Sequence, residues 1–503
     1  MNNRIARSLT PLLIFAVFFA GMAVIQFSTP DLPDNDGFYH IRMAWLMRTE
    51  GLKPDFPYLP LSILNEREFY DHHFLYHVAL IPFTFFGDLL AGAKWSAVTF
   101  ASLAFLAVWY LLKRQNVPYA WLWAIGLLGI SDAFLYRMSV TRAQSVSLGL
   151  LALAMIFLLE RKYLYLGILS FLYVWFYDAF PLVLALAGMY VLAVALVERR
   201  LDLVPLYYAL GGVALGVLVN PYFPYNVIFT WRHMLPKLTE TTAVSVGNEW
   251  YPYTTTQLLE NSLPSLLAFV SGALALGISG RRMEVRTAFG FLAAVLFGAM
   301  LFQARRFVEY FPAFALIFAA FAWSPLVLDL GLATVSPVSP LRTRFLRWLP
   351  GLLILLLGGY AVFFSIRETR SSLEGAKPYN LYAGASAWLE QNTPAGTRLF
   401  QTDWDDFPRL FYYNTHNTYL VGLDPTYMQL YDPEMYDLWV QITAGDVENP
   451  SWVIYNDFAA TYIHTDLRHG NFIRAAEADP ALREVYRDDD AIIYQVLVEQ
   501  LQK

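Results

Sequence analysis

The sequence has no cysteine and few charged residues: of its 503 residues, 15% are charged, whereas 57% are hydrophobic. The absence of cysteine excludes disulfide bonds, thiolate metal sites and cysteine nucleophiles. The charged fraction is well below the roughly 25% of ordinary soluble domains, and the mean hydropathy of +0.41 also argues against a soluble protein. The formal net charge of −6 provides no basic surface, so we expect no nucleic-acid partner.

Long apolar runs recur through residues 1–366 and predict a polytopic α-helical membrane protein. The first run could also belong to a signal peptide. No convincing small-residue cleavage site follows it, so we interpret it as an uncleaved membrane helix. We predict about eleven transmembrane helices, at roughly 8–28, 93–112, 119–134, 143–159, 163–178, 180–197, 203–219, 263–279, 284–302, 307–324 and 348–366.

The basic residues between these spans predict how the chain crosses the membrane. Clusters such as Lys113 and Arg114 fall on alternate connections, on the same side as Arg4 and Arg7, which the positive-inside rule makes cytoplasmic. The loops 29–92 and 220–262 then lie outside the membrane. Residues 72–90 are apolar, but a further crossing there would reverse all later clusters, so we predict an amphipathic helix on the outer surface.

The pattern changes after residue 366, where the spans give way to a soluble sequence. Residues 388–404 predict a helix, a turn and a strand, and residues 418–423 and 491–498 predict buried strands. We therefore divide the chain into a membrane domain, 1–366, and a small extracytoplasmic α/β domain, 367–503. The compact chain without cysteine suggests a bacterial plasma membrane.

Two acidic residues stand directly after the first apolar run. Asp34 and Asp36 form a D-x-D motif in an outer loop. Two carboxylates this close can share a divalent cation, Mg²⁺ or Mn²⁺, that bridges phosphate oxygens. Asp is also a common helix N-cap, so Asp36 could instead cap a helix that begins near Phe38. The sequence leaves both interpretations open.

Several arginines on the predicted outer side have no role in topology. An ionisable residue at the end of a span is a functional candidate, although a single arginine can also reach for lipid phosphates. As a set near acidic residues, they predict a shared anionic ligand. The basic residues are Arg42, Arg137, Arg142, Arg232, Arg305 and Arg306, and the acids are Asp34, Asp36 and Glu249.

Four histidines also lie in the first outer loop: His40, His72, His73 and His77. His73 and His77 are four residues apart and share one face of a helix, a spacing that could bind a metal. The alternative is that these side chains contact a substrate or the membrane interface.

At these residues the chain resembles a known family. The stretch DNDGFYHIRMAWLMRTEGL, 34–52, resembles the first outer loop of the GT-C glycosyltransferases, most closely that of the catalytic subunit of oligosaccharyltransferase. Residues 70–88 resemble the juxtamembrane helix of the family, and 303–321 resemble its late span that opens with an arginine facing the lipid phosphate. Residues 402–424 resemble the region of its W-W-D-Y-G motif.

This chain departs from the family in two places. The loop that carries the second acidic motif of the family has Arg137, Arg142 and Gln144 here, so arginine could supply charge in that position. The tail motif reads D-W-D-D-F, with Trp404 and Asp405 at its centre, and this weakens the case for protein N-glycosylation.

The resemblance implies an enzyme that transfers a sugar from a polyprenyl-(pyro)phosphate donor to a lipid, glycan or protein acceptor at the outer membrane face, with inversion in most of the family. It implies a role for Asp36 between metal and acceptor, with Asp34 helping to bind the metal, and for Glu249 as the acid of a mobile loop. It further implies that Arg305 and Arg306 bind the donor phosphate, with Arg42 as a third candidate. The loop aromatics could stack on sugar rings or instead anchor the loop at the membrane interface; they are Trp250, Tyr251 and Tyr253.

Three alternatives remain open at this stage. Within the same class, the protein could be an oligosaccharyltransferase that acts on asparagine. A transporter of lipid-linked sugars would place ionisable residues deep within spans and show two repeated halves, whereas most charges here lie at span ends. A non-catalytic sensor would use the tail to bind an outer ligand.

Overall fold

The computed structural model describes residues 2–234, 247–329 and 341–501. Part of the predicted outer loop 220–262 and most of the predicted inner connector before residue 341 lie outside these ranges. The α-helices are Asn2–Gln26, Asp36–Glu50, Phe74–Leu80, Leu89–Arg114, Ala120–Ile125, Asp132–Ser139, Gln144–Leu159, Tyr163–Phe176, Pro181–Glu198, Val204–Leu218, Tyr225–Phe229, Thr255–Ser279, Val285–Gln303, Phe311–Asp329, Leu341–Glu374, Ala383–Asn392, Phe407–Tyr413, Thr426–Tyr431, Pro433–Ala444, Pro450–Asn456, Gly470–Ala478 and Val498–Leu501.

Within the described residues, seven helices are long and apolar enough to cross a membrane. The number becomes eight if Asp132–Ser139 and Gln144–Leu159, which meet at 107°, form one bent span. The predicted spans at 163–178 and 203–219 form shorter apolar helices of 14 and 15 residues. A polytopic helical protein is therefore confirmed, and the total of eleven crossings stays a prediction.

The predicted span at 119–134 is not one helix. The chain forms Ala120–Ile125 and a 3₁₀ turn, and a new helix then begins at Asp132. Glycine at position 129 follows the turn, and the Ser131 hydroxyl accepts a hydrogen bond from the Phe134 amide at 3.0 Å. A side-chain cap of this kind starts a helix, so the run is divided at the polar pair Ser131 and Asp132.

The packing of the bundle places one helix at its centre. In the helix Phe311–Asp329, 72% of the apolar segment is buried within the protein, whereas only 6% is buried in the segment Gly351–Glu374. Close helix contacts depend on small residues: a Cβ at Gly212 would lie 2.1 Å from the backbone oxygen of Gly167 on the neighbouring helix. Such small-residue contacts let membrane helices approach closely.

The C-terminal region contains a five-stranded sheet, as the sequence predicts. Its strands are β1 (Arg398–Gln401), β2 (Thr418–Tyr419), β3 (Tyr462–Asp466), β4 (Leu482–Arg487) and β5 (Ala491–Val496), in the order β2-β1-β3-β5-β4. β1 is parallel to β2 and β3, whereas β5 is antiparallel to β3 and β4. The predicted strands at 418–423 and 491–498 correspond to β2 and β5.

The helix Asp36–Glu50 packs against the C-terminal domain and so positions the acidic motif. The Tyr39 ring lies 5.7 Å from the Phe411 ring, and the Phe38 ring meets Tyr412 edge-on at 5.3 Å. Gly51, with φ of 113°, follows the last residue of the helix in a conformation that favours glycine. The N-terminal end of this helix, with Asp36, is thereby held between membrane bundle and tail.

Candidate active site

The two acids of the D-x-D motif bind one arginine. Arg142 Nη2 lies 2.7 Å from Oδ2 of Asp34 and 2.7 Å from Oδ2 of Asp36. Asp36 is the first residue of its helix, and the preceding Asn35 makes no side-chain cap. Asp36 is therefore not the N-cap, because it is the first residue within the helix, and its carboxylate instead forms an ion pair.

Burial controls the ionisation of these acids. It raises the pKa of Asp36 to about 7: the Arg142 cation lowers that pKa, and the negative charges of Asp34 and Glu249 raise it. Burial also raises the pKa of Asp34 above its ordinary value, despite the nearby Arg142 and Arg137 cations. A carboxyl group with a pKa near 7 can exchange protons at neutral pH, which suits a general base.

A divalent cation does not fit between Asp34 and Asp36 in this arrangement. The Arg142 guanidinium holds the position between the two carboxylates that a bridging metal would take. Among the described side chains, neither acid has a buried oxygen without a partner. A metal at this pair would have to displace an arginine that is only 21% exposed, so we derive no step through a metal here.

Glu249 joins three arginines from different elements. Its Oε2 lies 2.7 Å from Arg137 Nη1 and 3.4 Å from Arg142 Nη1, and its Oε1 lies 3.4 Å from Arg306 Nη1. Burial alone would raise the pKa of Glu249, but the three cations outweigh it and hold that pKa well below its ordinary value. Glu249 therefore stays ionised at neutral pH, and this does not support a role for it in proton transfer.

Arg137 is also held from a second side. It donates to Oε2 of Glu309 from Nε at 3.2 Å and from Nη2 at 2.9 Å. Glu309 is 1% exposed and stands in the 3₁₀ turn Arg305–Glu309, which precedes the central helix of the bundle. The turn therefore fixes one arginine of the cluster through its glutamate.

The two predicted phosphate-binding arginines of this turn differ in their contacts. Arg306 reaches Glu249, donates to the Tyr177 hydroxyl at 3.2 Å and covers the Trp250 ring at 4.1 Å. Arg305 instead donates to the backbone oxygens of Tyr251 and Pro252, at 3.2 and 3.1 Å. Arg306 thus belongs to the charged cluster, and Arg305 holds the loop beside it.

A cleft of about 310 Å³ opens beside the cluster. Arg137, Glu249, Arg305 and Arg306 line it together with the Tyr253 ring. Tyr251 is 45% exposed next to it. The cleft thus combines basic, acidic and aromatic groups, and its arginines can bind an anionic group.

Among the described side chains, Arg42 pairs with no member of this cluster. It donates to Thr415 Oγ1 in the C-terminal domain at 3.1 Å and lies 4.4 Å over the Trp45 ring. It therefore links the outer helix to the tail, and its predicted role in phosphate binding has no support from its contacts. Arg232 is also elsewhere, 3.7 Å from Glu68.

The four histidines lie together beside the acidic motif, and all but the half-buried His73 are buried. His40 Nδ1 lies 2.7 Å from His77 Nε2, and His77 Nδ1 lies 2.7 Å from Asp71 Oδ2. The His73 ring is 4.8 Å from His40 and 4.2 Å from His72. Burial holds the pKa of His40 well below its ordinary value, and the neighbouring His77 lowers that pKa further. This histidine is therefore neutral. In the described part of the chain, these histidines belong to no group of three metal-ligating residues.

Trp404 and Asp405 lie in the 3₁₀ turn Trp404–Asp406 of the C-terminal domain. Asn35, between the two acids of the motif, donates to the Asp405 carboxylate at 2.8 Å and to its backbone oxygen at 3.0 Å. Arg409 donates from Nε to Asn35 Oδ1 at 2.7 Å. Our sequence reasoning missed Asn35, Glu309 and the bridging role of Arg142. Of these, only Asn35 could have been suspected from the sequence, because it lies between the two acids of the motif.

Comparison with known proteins defines the fold. No family model and no curated protein sequence matches the chain. Solved structures do: the oligosaccharyltransferase of Archaeoglobus fulgidus in its apo form superposes with a TM-score of 0.65 at 15% identity, over 93% of this chain and 71% of that one.

Two further solved structures have the same fold. ArnT from Cupriavidus metallidurans, bound to undecaprenyl phosphate, has a TM-score of 0.58 at 14% identity and covers 96% of this chain and 97% of its own. The mycobacterial arabinofuranosyltransferase AftD has a TM-score of 0.53 at 14% identity, over 96% of this chain and 40% of that one. The resemblance to the GT-C glycosyltransferases, including oligosaccharyltransferase, is thereby confirmed at the level of the fold.

Proposed function

We propose that the protein is a glycosyltransferase that moves a sugar from a polyprenyl-(pyro)phosphate donor to an acceptor at the outer face of the membrane. The observation that carries the proposal is the pair Asp36 and Arg142, at 2.7 Å, beside a cleft lined by further arginines. The fold of lipid-phosphate-using transferases supports it, since one such structure holds undecaprenyl phosphate and another holds dolichol phosphate.

The reaction needs a base for the acceptor and positive charge for the leaving group. In the proposed step, an acceptor hydroxyl oxygen attacks the anomeric carbon and gives its proton to the Asp36 carboxylate. The bond from that carbon to the phosphate oxygen breaks, and the lipid phosphate leaves with the electron pair. Attack opposite the leaving group inverts the configuration. Asp36 is suited to this because burial raises its pKa to about 7.

Arginines would stabilise the charge that develops on the phosphate. Arg137, Arg142 and Arg306 already converge on one carboxylate, that of Glu249, at 2.7 to 3.4 Å. Guanidinium groups that hold a carboxylate in this way can also hold a phosphate. Donors fixed in advance in a poorly hydrated site are effective because they need no reorganisation during the reaction.

The membrane arrangement is part of the proposal. We place the N-terminus in the cytoplasm and the sheet domain outside, in a bacterial plasma membrane. The alternation of basic clusters supports this orientation. The acceptor, whether lipid, glycan or protein hydroxyl, would reach Asp36 from the outer side.

The test is sugar transfer by the purified full-length protein from a panel of polyprenyl-phosphate sugars. We expect the wild-type protein to turn over at least one donor, and Asp36→Asn to lose at least about a hundredfold, or about 2.7 kcal/mol of transition-state stabilisation. The matched control is Asp55→Asn, an exposed acid of the same outer loop, which should keep wild-type activity. Equal activity of wild type and Asp36→Asn would remove Asp36 from the mechanism.

A further inference from the structure

A second acidic group lies in the C-terminal domain, at the carboxyl ends of two parallel strands. Asp403 follows β1, Asp466 is the last residue of β3, and Asp406 ends the 3₁₀ turn after β1. One carboxylate oxygen from each lies within 4.8 Å of the others. Ligands commonly bind at this edge of a parallel arrangement, because the strands deliver their next residues to one place.

Buried polar atoms without partners point into this group. Asp406 is 1% exposed and His464 is fully buried. His464 Nδ1 lies 4.0 Å from Asp406 Oδ2, too far for a hydrogen bond, and neither atom has a hydrogen-bond partner among the described residues. An unpaired buried polar group destabilises a fold, and two that face each other can both be satisfied by one ligand placed between them.

This acidic group has unsatisfied buried atoms, whereas the pair Asp34 and Asp36 does not. Arg468 does reach it, with contacts to Asp403 at 3.2 Å and to Asp466 at 2.5 Å, but its side chain is 60% exposed. It leaves Asp406 Oδ2 and His464 Nδ1 unsatisfied. At the first pair, by contrast, the largely buried Arg142 contacts both carboxylates.

We propose that Asp403, Asp406, Asp466 and His464 bind one divalent cation, Mn²⁺ or Zn²⁺. Three carboxylates and one imidazole nitrogen suit these ions, because carboxylates favour Mn²⁺ and imidazole favours Zn²⁺. The buried imidazole of His464 can offer the lone pair of a ring nitrogen that has no hydrogen-bond partner among the described residues. The cation would pair with the two unsatisfied atoms and displace the exposed Arg468.

Such a cation would order the turn that contacts the candidate active site. Asp405 stands between two of the ligands and accepts hydrogen bonds from Asn35, which lies between Asp34 and Asp36. The ion would therefore act as a positioning element at a distance, and it would not touch the reacting atoms. Binding of the ion can be measured without the proposed transfer activity. A failure of the cation site can therefore be told apart from a failure of the proposed glycosyl transfer.

The experiment uses the purified full-length chain, stripped with EDTA and then equilibrated with Mn²⁺ or Zn²⁺ alone. Bound metal is counted by inductively coupled plasma mass spectrometry after removal of free ions. We expect one ion per chain and a higher melting temperature. His464→Gln and Asp406→Asn should each weaken binding at least about tenfold, whereas Asp437→Asn, an exposed acid of the same domain, should bind as wild type does.

A parallel Asp36→Asn sample locates the ion. Unchanged binding in that variant supports the C-terminal site, and loss of binding would place the metal at the first acidic pair and overturn the proposal. Failure of the wild-type chain to retain either ion would also overturn it. Circular dichroism of His464→Gln without metal shows whether a loss reflects the ligand or the fold.

Discussion

Asn35 Nδ2 lies 2.8 Å from Asp405 Oδ2, across 370 residues of sequence. This hydrogen bond joins the acidic motif of the first outer loop to the C-terminal domain. The Arg409 guanidinium, 1% exposed, holds the other side of the Asn35 amide. The geometry of the candidate active site therefore depends on how the tail domain docks.

Asn35→Ala should reduce transfer without changing any charge. The variant removes bonds to Asp405 and Arg409, and a displacement of about 1 Å in the adjacent acids can lower kcat by up to about a hundredfold. Steady-state kinetics should show the loss in kcat. The control is Asn392→Ala, at an exposed asparagine of the tail domain, and equal kcat for both variants would contradict the coupling.

The transfer rate should rise with pH up to about 7. Asp36 accepts a proton only when ionised, and its pKa is raised to about 7. Below that value the rate should fall about tenfold per pH unit, and above it the rate should level off. Glu249→Gln removes a negative charge that raises the pKa of Asp36, so the midpoint should move to lower pH. A pH–rate profile of kcat for both proteins measures this shift, and the reverse shift would refute the assignment.

Arg142→Lys should lose most activity although it keeps the positive charge. A lysine ammonium is a single point on a flexible stem, and it lacks the planar group whose Nη2 contacts both aspartates at 2.7 Å while its Nη1 reaches Glu249 at 3.4 Å. We expect about a hundredfold lower kcat/KM, comparable with the loss of one fixed donor in other enzymes. Arg232→Lys is the control, since that arginine is 51% exposed and pairs only loosely with Glu68. Similar losses in both would argue that outer arginines act only through net charge.

Gly212→Ala should destabilise the bundle, whereas Gly211→Ala should not. A Cβ at Gly212 would lie 2.1 Å from the Gly167 backbone oxygen, and at Gly211 it would meet nothing within 4 Å. Overpacking of this kind costs about 1–3 kcal/mol, while alanine at a free helical position is neutral or stabilising. Thermal unfolding in detergent should separate the two variants. Equal melting temperatures would mean that the helices separate without cost.

Local hydropathy and β-propensity in the sequence predicted the helices and strands that form from neighbouring residues. Apolar runs predicted the long helices, and the β-rich stretches near residues 419 and 493 predicted strands that the sheet contains. The single span predicted at 119–134 is wrong, because the 3₁₀ turn ends at Gly129 and a new helix begins where the polar Ser131 and Asp132 interrupt the apolar run. The interpretation of Asp36 as a mere cap failed because a cap is judged from neighbours in sequence, and its partner Arg142 is more than 100 residues away.

By itself, the sequence determined the class of the protein: a chain that is 57% hydrophobic, with charges gathered at the ends of its apolar runs, must bury those runs in a bilayer or in each other. Only the tertiary structure decided which charges meet. In the folded chain, Asp34 and Asp36 pair with Arg142, and three arginines contact Glu249. Arg42 instead donates to Thr415 of the tail domain. The physical reason is that burial is encoded in local hydropathy, whereas ion-pair partners are chosen by the packing of elements far apart in the chain.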